Sequence, residues 1–100
     1  MEQMRKGMGM AMRSRELTLT NKRGLHARAA TKLVNCCAPF AATVMVSHGE
    51  RRANATNVMA LLMLAAPCGT SLIIDVEGEH ADEAMIAITA LFEARFEEDE

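Results

Sequence analysis

The sequence is poor in the residues that most narrow a function. It has no Trp and no Tyr, and its three aromatics are Phe40, Phe92 and Phe96. Half of its 100 residues are apolar, so the core must be built from Leu, Ile, Val, Ala and Met. That length supports one compact domain rather than two. The cysteines, Cys36, Cys37 and Cys68, are odd in number and show no C-x-x-C spacing, which argues against a zinc ligand set or a dithiol centre. They read as buried free thiols of a reducing cytosol. No run reaches the roughly 18–20 apolar residues of a membrane helix. The longest, residues 58–67, reads as a short helix or a partner surface. Neither G-x-x-x-x-G-K-[ST] nor G-x-G-x-x-G occurs, so a nucleotide is not held by those devices. No metal or cofactor is expected.

Charge of one sign is scarce in each half. Residues 1–52 hold ten of the eleven Lys/Arg and three of the thirteen Asp/Glu, a balance of +7, and residues 53–100 carry −9. A basic half suits phosphate chemistry or an acidic partner. Nucleic acid fits less well, because the basic half has one aromatic side chain and the whole chain is acidic. Residues 1–15, rich in Met and basic side chains, lack the apolar core of a secretory signal and read as a tail or a mis-assigned start. Met1, Met4, Met8 and Met12 would share one face of a transient helix. Residues 97–100 read as a solvated acidic end, and the tail is placed at 98–100. The folded domain is predicted over 16–97, a monomer in the cytoplasm without a membrane or nucleic-acid partner.

Residues 16–20 (E-L-T-L-T) alternate as a half-buried strand does. Asn21 to Gly24 make a turn. Residues 27–37 place Ala30, Leu33, Val34 and Cys37 on one helical face, and Pro39 stops that helix. Residues 42–47 and 50–54 form two strands joined by a turn at His48-Gly49. Asn57 is a good N-cap for a helix over 58–65, ended by Pro67 and Gly69. Residues 71–77 are a strand, and 81–96 a helix with Asp82 and Glu83 in its first turn. The order β-α-β-β-α-β-α predicts an α+β, two-layer sandwich, with three helices on one face of a four-stranded antiparallel sheet.

The informative stretch is Gly24-Leu25-His26-Ala27-Arg28. His26 falls at the boundary of turn and helix, where free backbone N–H groups bind anions and the positive helix end disfavours an imidazolium. A neutral imidazole nitrogen can attack phosphorus and later leave, so a phosphohistidine transfers in both directions. Arg28 brings a guanidinium fork for phosphate oxygens. A lone His at a helix start is more often a plain cap or surface residue. Arg28 and the preceding Gly24 bring the two readings level. Without a nucleotide loop the phosphate must come from another phosphoprotein, which makes the site a relay and the chain a carrier rather than a stand-alone catalyst.

Residues 21–30 (N-K-R-G-L-H-A-R-A-A) resemble the active-site signature of the HPr family, the histidine phosphocarriers of bacterial phosphotransferase systems. The likeness continues through residues 54–59 and 61–64, Gly69-Thr70 and Gly78-Glu79, and it covers roughly 16–97. The Leu61-Leu62-Met63-Leu64 run and the acidic end after Phe96 look most like NPr, the nitrogen-related branch. The resemblance implies an open-faced sandwich with His26 phosphorylated through Nδ1 (the pros nitrogen) and Arg28 holding the phosphate. It also implies an enzyme I-type donor fed by phosphoenolpyruvate and an enzyme IIA-type acceptor. Two positions depart from the family pattern. Ala29 stands where the family usually has Pro, and Asn57 where many members carry a regulatory Ser.

The helix over 58–65 has no polar face. Leu61, Leu64 and Ala65 form a stripe assigned to the core; Val58, Met59, Leu62 and Met63 form a second, assigned to partners, since flexible Met side chains adapt to several of them. Burial of the whole helix beneath the tail or a second copy is the competing reading. Lys22, Arg23, Arg28 and Lys32 would steer an acidic partner toward His26. His48 and His80 read as surface residues. Alternatives to a nitrogen-branch phosphocarrier are a sugar-transport HPr and a non-phosphorylated protein-binding module.

Overall fold

In the computed structural model, which describes residues 11–98, the chain runs β1 (Ala11–Thr18), α1 (Ala27–Cys37), β2 (Thr43–His48), β3 (Arg51–Asn54), α2 (Val58–Leu62), β4 (Ser71–Gly78) and α3 (Ala81–Glu93). The four strands form one antiparallel sheet in the order β1-β4-β2-β3. Strict alternation in β4 explains the two layers. Leu72, Ile74 and Val76 are buried beneath the helices, while Ser71, Ile73 and Glu77 face outward. The predicted architecture stands, with three helices on one face and the other face open.

The core is aliphatic as the composition requires. Leu33 and Ala30 of α1, Leu61 of α2 and Ala84 and Ile88 of α3 meet Leu17, Val46 and Ile74 of the sheet. Phe92 and Phe96 supply the aromatic part, with ring centroids 4.9 Å apart. Asn57 caps α2 as predicted, its side chain accepting from the Ala60 N–H at 3.0 Å.

Several boundaries differ from the sequence reading. Strand β1 begins at Ala11, inside the stretch read as a tail, and pairs with β4 from Ala11↔Gly78 to Thr18↔Ser71. Its inward positions include Arg13 and Arg15, in phase with the buried Leu17 although both are charged. Their heads instead reach over α3, Arg13 to Asp82 at 2.6 Å and Arg15 to the Thr89 hydroxyl at 3.2 Å. Met12 is therefore a strand residue, and the other methionines of the suggested helical face lie outside the described residues. Helix α2 closes at Leu62, and Ala65, assigned to the core, is exposed with φ of 52°. Ala66 takes the buried place.

Helix α3 stops at Glu93, three residues before its predicted end. Arg95, Phe96 and Glu97 then take φ of 55°, 55° and 63°, a left-handed turn that folds the chain back. Each such non-glycine residue costs about 1–2 kcal/mol, so the neighbouring structure must hold the turn in place. Phe96 does so from below, fully buried against Phe92. The Lys32 ammonium does so from above, donating to the Phe96 carbonyl at 2.9 Å.

The thiols are free, but not all are buried. Cys37 is, Cys36 is half-covered, and Cys68 is exposed in the turn after Pro67. Burial, with a contribution from neighbouring Cys36, pushes the Cys37 thiol up to about 12, and burial also raises that of Cys36. Only the thiolate is alkylated. Iodoacetamide at pH 7.5 should therefore label Cys68 first and leave Cys37 unmodified until the protein unfolds. Equal rates at the three positions, followed by peptide mass analysis, would contradict this packing.

Candidate functional site

The loop between β1 and α1 is shaped by one glycine and one buried amide. Gly24 has φ of 69°, and a Cβ there would lie 2.5 Å from the Ala66 carbonyl oxygen and 2.8 Å from the Cys68 nitrogen. Only glycine lets the loop lie against the 66–68 backbone this closely. The Leu25 N–H donates to the Ala66 carbonyl at 2.9 Å, fastening the loop to the segment after α2. Asn21, wholly buried, spans the turn by donating from Nδ2 to the Gly24 carbonyl at 2.7 Å. This polar core residue holds the loop that places His26.

His26 is the N-cap of α1, with extended backbone dihedrals, and its carbonyl accepts the first helical bond from Ala30 at 2.8 Å. Its side chain turns back over the helix start. Nδ1 accepts from the Arg28 backbone N–H at 3.3 Å, a long and weak bond. Nε2 lies 2.6 Å from Oε2 of Glu98. A carboxylate only accepts, so Nε2 carries the proton and Nδ1 presents its lone pair. Both hydrogen bonds select the same tautomer. The guanidinium of Arg28 is exposed at the same helix start and makes no hydrogen bond or ion pair with the described residues. Loosely held Nδ1, first-turn amides and a nearby guanidinium together make a place where a phosphoryl group could be received.

Glu98 was not expected here. Read as part of a solvated acidic end, its side chain is only 11% exposed, with Oε2 on His26 and Oε1 accepting from Asn21 Nδ2 at 3.1 Å. Partial burial pushes its carboxyl up. Hydrogen bonds from Asn21 and His26, and the charges of His26 and Arg28, outweigh that and leave it below the ordinary carboxylate value. Lys32 also differs from its assignment. Its ammonium is engaged by the Phe96 carbonyl and by Glu97 at 3.3 Å, so it anchors the C-terminal turn instead of standing free to steer a partner.

The remaining predicted residues fall in two groups. Lys22 and Arg23 lie exposed on the turn before His26. On α2 and its C-terminal end, Met59 and Met63 are exposed by about two-thirds (66% and 67%), whereas Val58 and Leu62 are half-buried against the core. His48 and His80 are more than surface residues. His48 Nδ1 donates to the Leu64 carbonyl at 2.9 Å, and His80 Nδ1 accepts from the Ala41 N–H at 3.0 Å. Both brace loops. Among the described residues no group of three or more His, Cys, Asp or Glu could hold a metal ion.

The family model described as the PTS HPr component phosphorylation site matches residues 13–94. The chain belongs to the HPr family of phosphotransferase-system phosphocarriers. It is 44% identical over 88 residues to a phosphocarrier protein HPr of Xylella fastidiosa, covering 88% of this chain and 99% of that one. It is 43% identical over 89 residues to a phosphocarrier protein NPr of Shewanella violacea, covering 89% and 98%. Among solved structures, HPr of Thermoanaerobacter tengcongensis aligns with a TM-score of 0.84 at 28% identity, over 88% of this chain and 99% of that one. HPr of Bacillus anthracis aligns at 0.77 and 30%, over 82% and 98%. The three-helix, open-sheet architecture is thus that of the HPr family.

The lowered Glu98 carboxyl has a sign that can be checked. A group whose value falls on folding adds stability above its unfolded value, near 4.5, and loses it as pH drops through the folded one. The Glu98 side-chain 13C resonance should titrate below 4.5, with the Phe96 ring signals shifting in step. A titration at or above 4.5 would mean that the carboxylate is not held by Asn21 and His26.

Proposed function

We propose that this HPr-family chain accepts a phosphoryl group on Nδ1 of His26 from a phosphorylated enzyme I-type protein and passes it to an enzyme IIA-type protein. The observation that carries the reading is the pair of hydrogen bonds on His26. Together they leave Nδ1 with its lone pair at a helix N-terminus beside Arg28. In the forward step that lone pair bonds to phosphorus while the donor's own bond to phosphorus breaks, its electron pair returning to the donor atom. The Arg28 N–H is free to move from Nδ1 to a phosphate oxygen, and the Arg28 guanidinium takes a second oxygen. The reverse sequence delivers the group to the acceptor.

The partner surface is read as the exposed Met59 and Met63 with the edges of Val58 and Leu62. It lies beside the loop that the Leu25–Ala66 bond ties to the end of α2. Lys22, Arg23 and Arg28 give this side a positive field for an acidic partner. A nitrogen-related regulatory role is supported by the Leu61-Leu62-Met63-Leu64 run and by the likeness to the Shewanella NPr. A sugar-transport role is the second reading, favoured by an equal likeness to the Xylella HPr. The enzyme I that phosphorylates the protein faster distinguishes them. Asn57 caps α2 without a hydroxyl, which leaves no phosphate acceptor at that position for a kinase.

Phosphoenolpyruvate with a cognate enzyme I should place one acid-labile, base-stable phosphoryl group on the protein, and His26→Ala should abolish it. Stoichiometric labelling of His26→Ala would move the site elsewhere.

A further inference from the structure

The contact that the sequence hid is the one between His26 and the end of the chain, and it bears on which proton the reaction must keep. If His26 Nδ1 is the acceptor, as proposed above, phosphorylation leaves the imidazole with a positive charge and its remaining proton on Nε2. In the return step the Nδ1–phosphorus bond breaks and its electron pair stays on Nδ1. With the proton still on Nε2 the leaving group is a neutral imidazole. Had that proton been lost, the leaving group would be an imidazolate, which departs far less readily. Whatever holds the Nε2 proton therefore keeps the phosphoryl group transferable.

We propose that Glu98 is a positioning residue for phosphoryl transfer. Its carboxylate holds the Nε2 proton of His26 through both steps, and the left-handed turn at residues 95–97 delivers it there. The distances support this assignment. Oε2 is 2.6 Å from Nε2, and Oε1 is fixed by Nδ2 of Asn21 at 3.1 Å. Asn21 is itself wholly buried and ties the same carboxylate to the loop that carries His26. A carboxylate set behind an imidazole in this way fixes its tautomer and favours the cationic ring.

The turn that supplies Glu98 is costly in itself. Three consecutive non-glycine residues with positive φ persist only where the surroundings fix them. Here the fixing groups are the buried Phe96 ring, Lys32 on the Phe96 carbonyl and on Glu97, and the His26–Asn21 pair on Glu98. Other charged or titratable groups on the elements around the pair are Arg28 on α1, Lys22 and Arg23 on the β1–α1 turn, and Cys68 on the turn that touches Gly24. Of these, Arg28 lowers the Glu98 carboxyl by its charge.

The test compares wild type, Glu98→Gln and Glu98→Ala in the full chain. Each is phosphorylated with enzyme I and phosphoenolpyruvate, and transfer back to dephosphorylated enzyme I is followed between pH 6 and 9. Both variants should still take up one phosphoryl group on His26. Their transfer rates at pH 8 should fall about ten- to hundredfold. The pH at which transfer declines should move down by about one pH unit or more, since an opposite charge in contact has been removed. Thermal unfolding of Glu98→Gln shows whether packing has changed, and the pH profile is a readout that lost packing alone would not shift. Unaltered rates and profile in both variants would overturn the role of Glu98 while leaving His26 as acceptor. Failure of the wild type to take up label would instead refute the acceptor reading itself.

Discussion

A single short hydrogen bond joins His26 to Glu98 across 72 residues of sequence, and much of the molecule is arranged so that it can form. The imidazole must sit at the start of α1 with one nitrogen turned to the helix amides and the other turned away. The carboxylate must arrive from the turn that follows α3. Neither condition is local. The first depends on Gly24, whose backbone lies against residues 66–68 where no Cβ fits, and on Asn21, buried beneath the loop. The second depends on the left-handed turn after α3 and on Lys32, which reaches from α1 to hold it.

Seen this way, α1 and α3 do more than cover the sheet. Helix α1 offers His26 at its first turn and Lys32 near its middle, so one rigid element carries both the proposed acceptor and the anchor for its carboxylate partner. The sheet contributes register. Pairing of β1 with β4 from Ala11 to Thr18 fixes where the chain leaves the sheet, and Leu19 then bonds to Thr70 and Gly69 to hold the start of the loop. Strain at residues 95–97 is compatible with this plan because the turn is held at several points, by the buried Phe96, by Lys32 on its carbonyl and by the bonds of Glu98 to His26 and Asn21.

Much of this was legible in the sequence, for identifiable reasons. The strand-like run of residues 71–77, with its one doubled apolar position, the helical spacing of Ala30, Leu33 and Cys37, and the capping chemistry of Asn57 are local signals, and each corresponds to an element in the structure. Gly24, His26 and Arg28 form one candidate site in the sequence because they lie within five residues of one another. What escaped is long-range. Arg13 and Arg15 fall in the stretch read as a tail, and only α3 gives their heads partners in Asp82 and Thr89. Residues 95–97 contain no glycine to mark a left-handed turn, so the helical pattern reads on to Phe96. Glu98 sits in an acidic run that reads as solvated, and only the turn brings it to His26. Lys32 was placed in the positive field by its proximity in sequence, whereas its ammonium is occupied by the C-terminal turn. No local motif could bring Glu98 to His26, whereas Asn21 belongs to the predicted turn and its second bond, to Glu98, is the part that the sequence hides.

The central claim concerns one atom, Nδ1 of His26. Phosphorus–nitrogen coupling in the uniformly 15N-labelled, phosphorylated protein reads it directly. The account predicts one phosphorus resonance coupled to Nδ1 of His26, with Nε2 of the same ring still protonated. Coupling to Nε2, or to a ring nitrogen of His48 or His80, would contradict it.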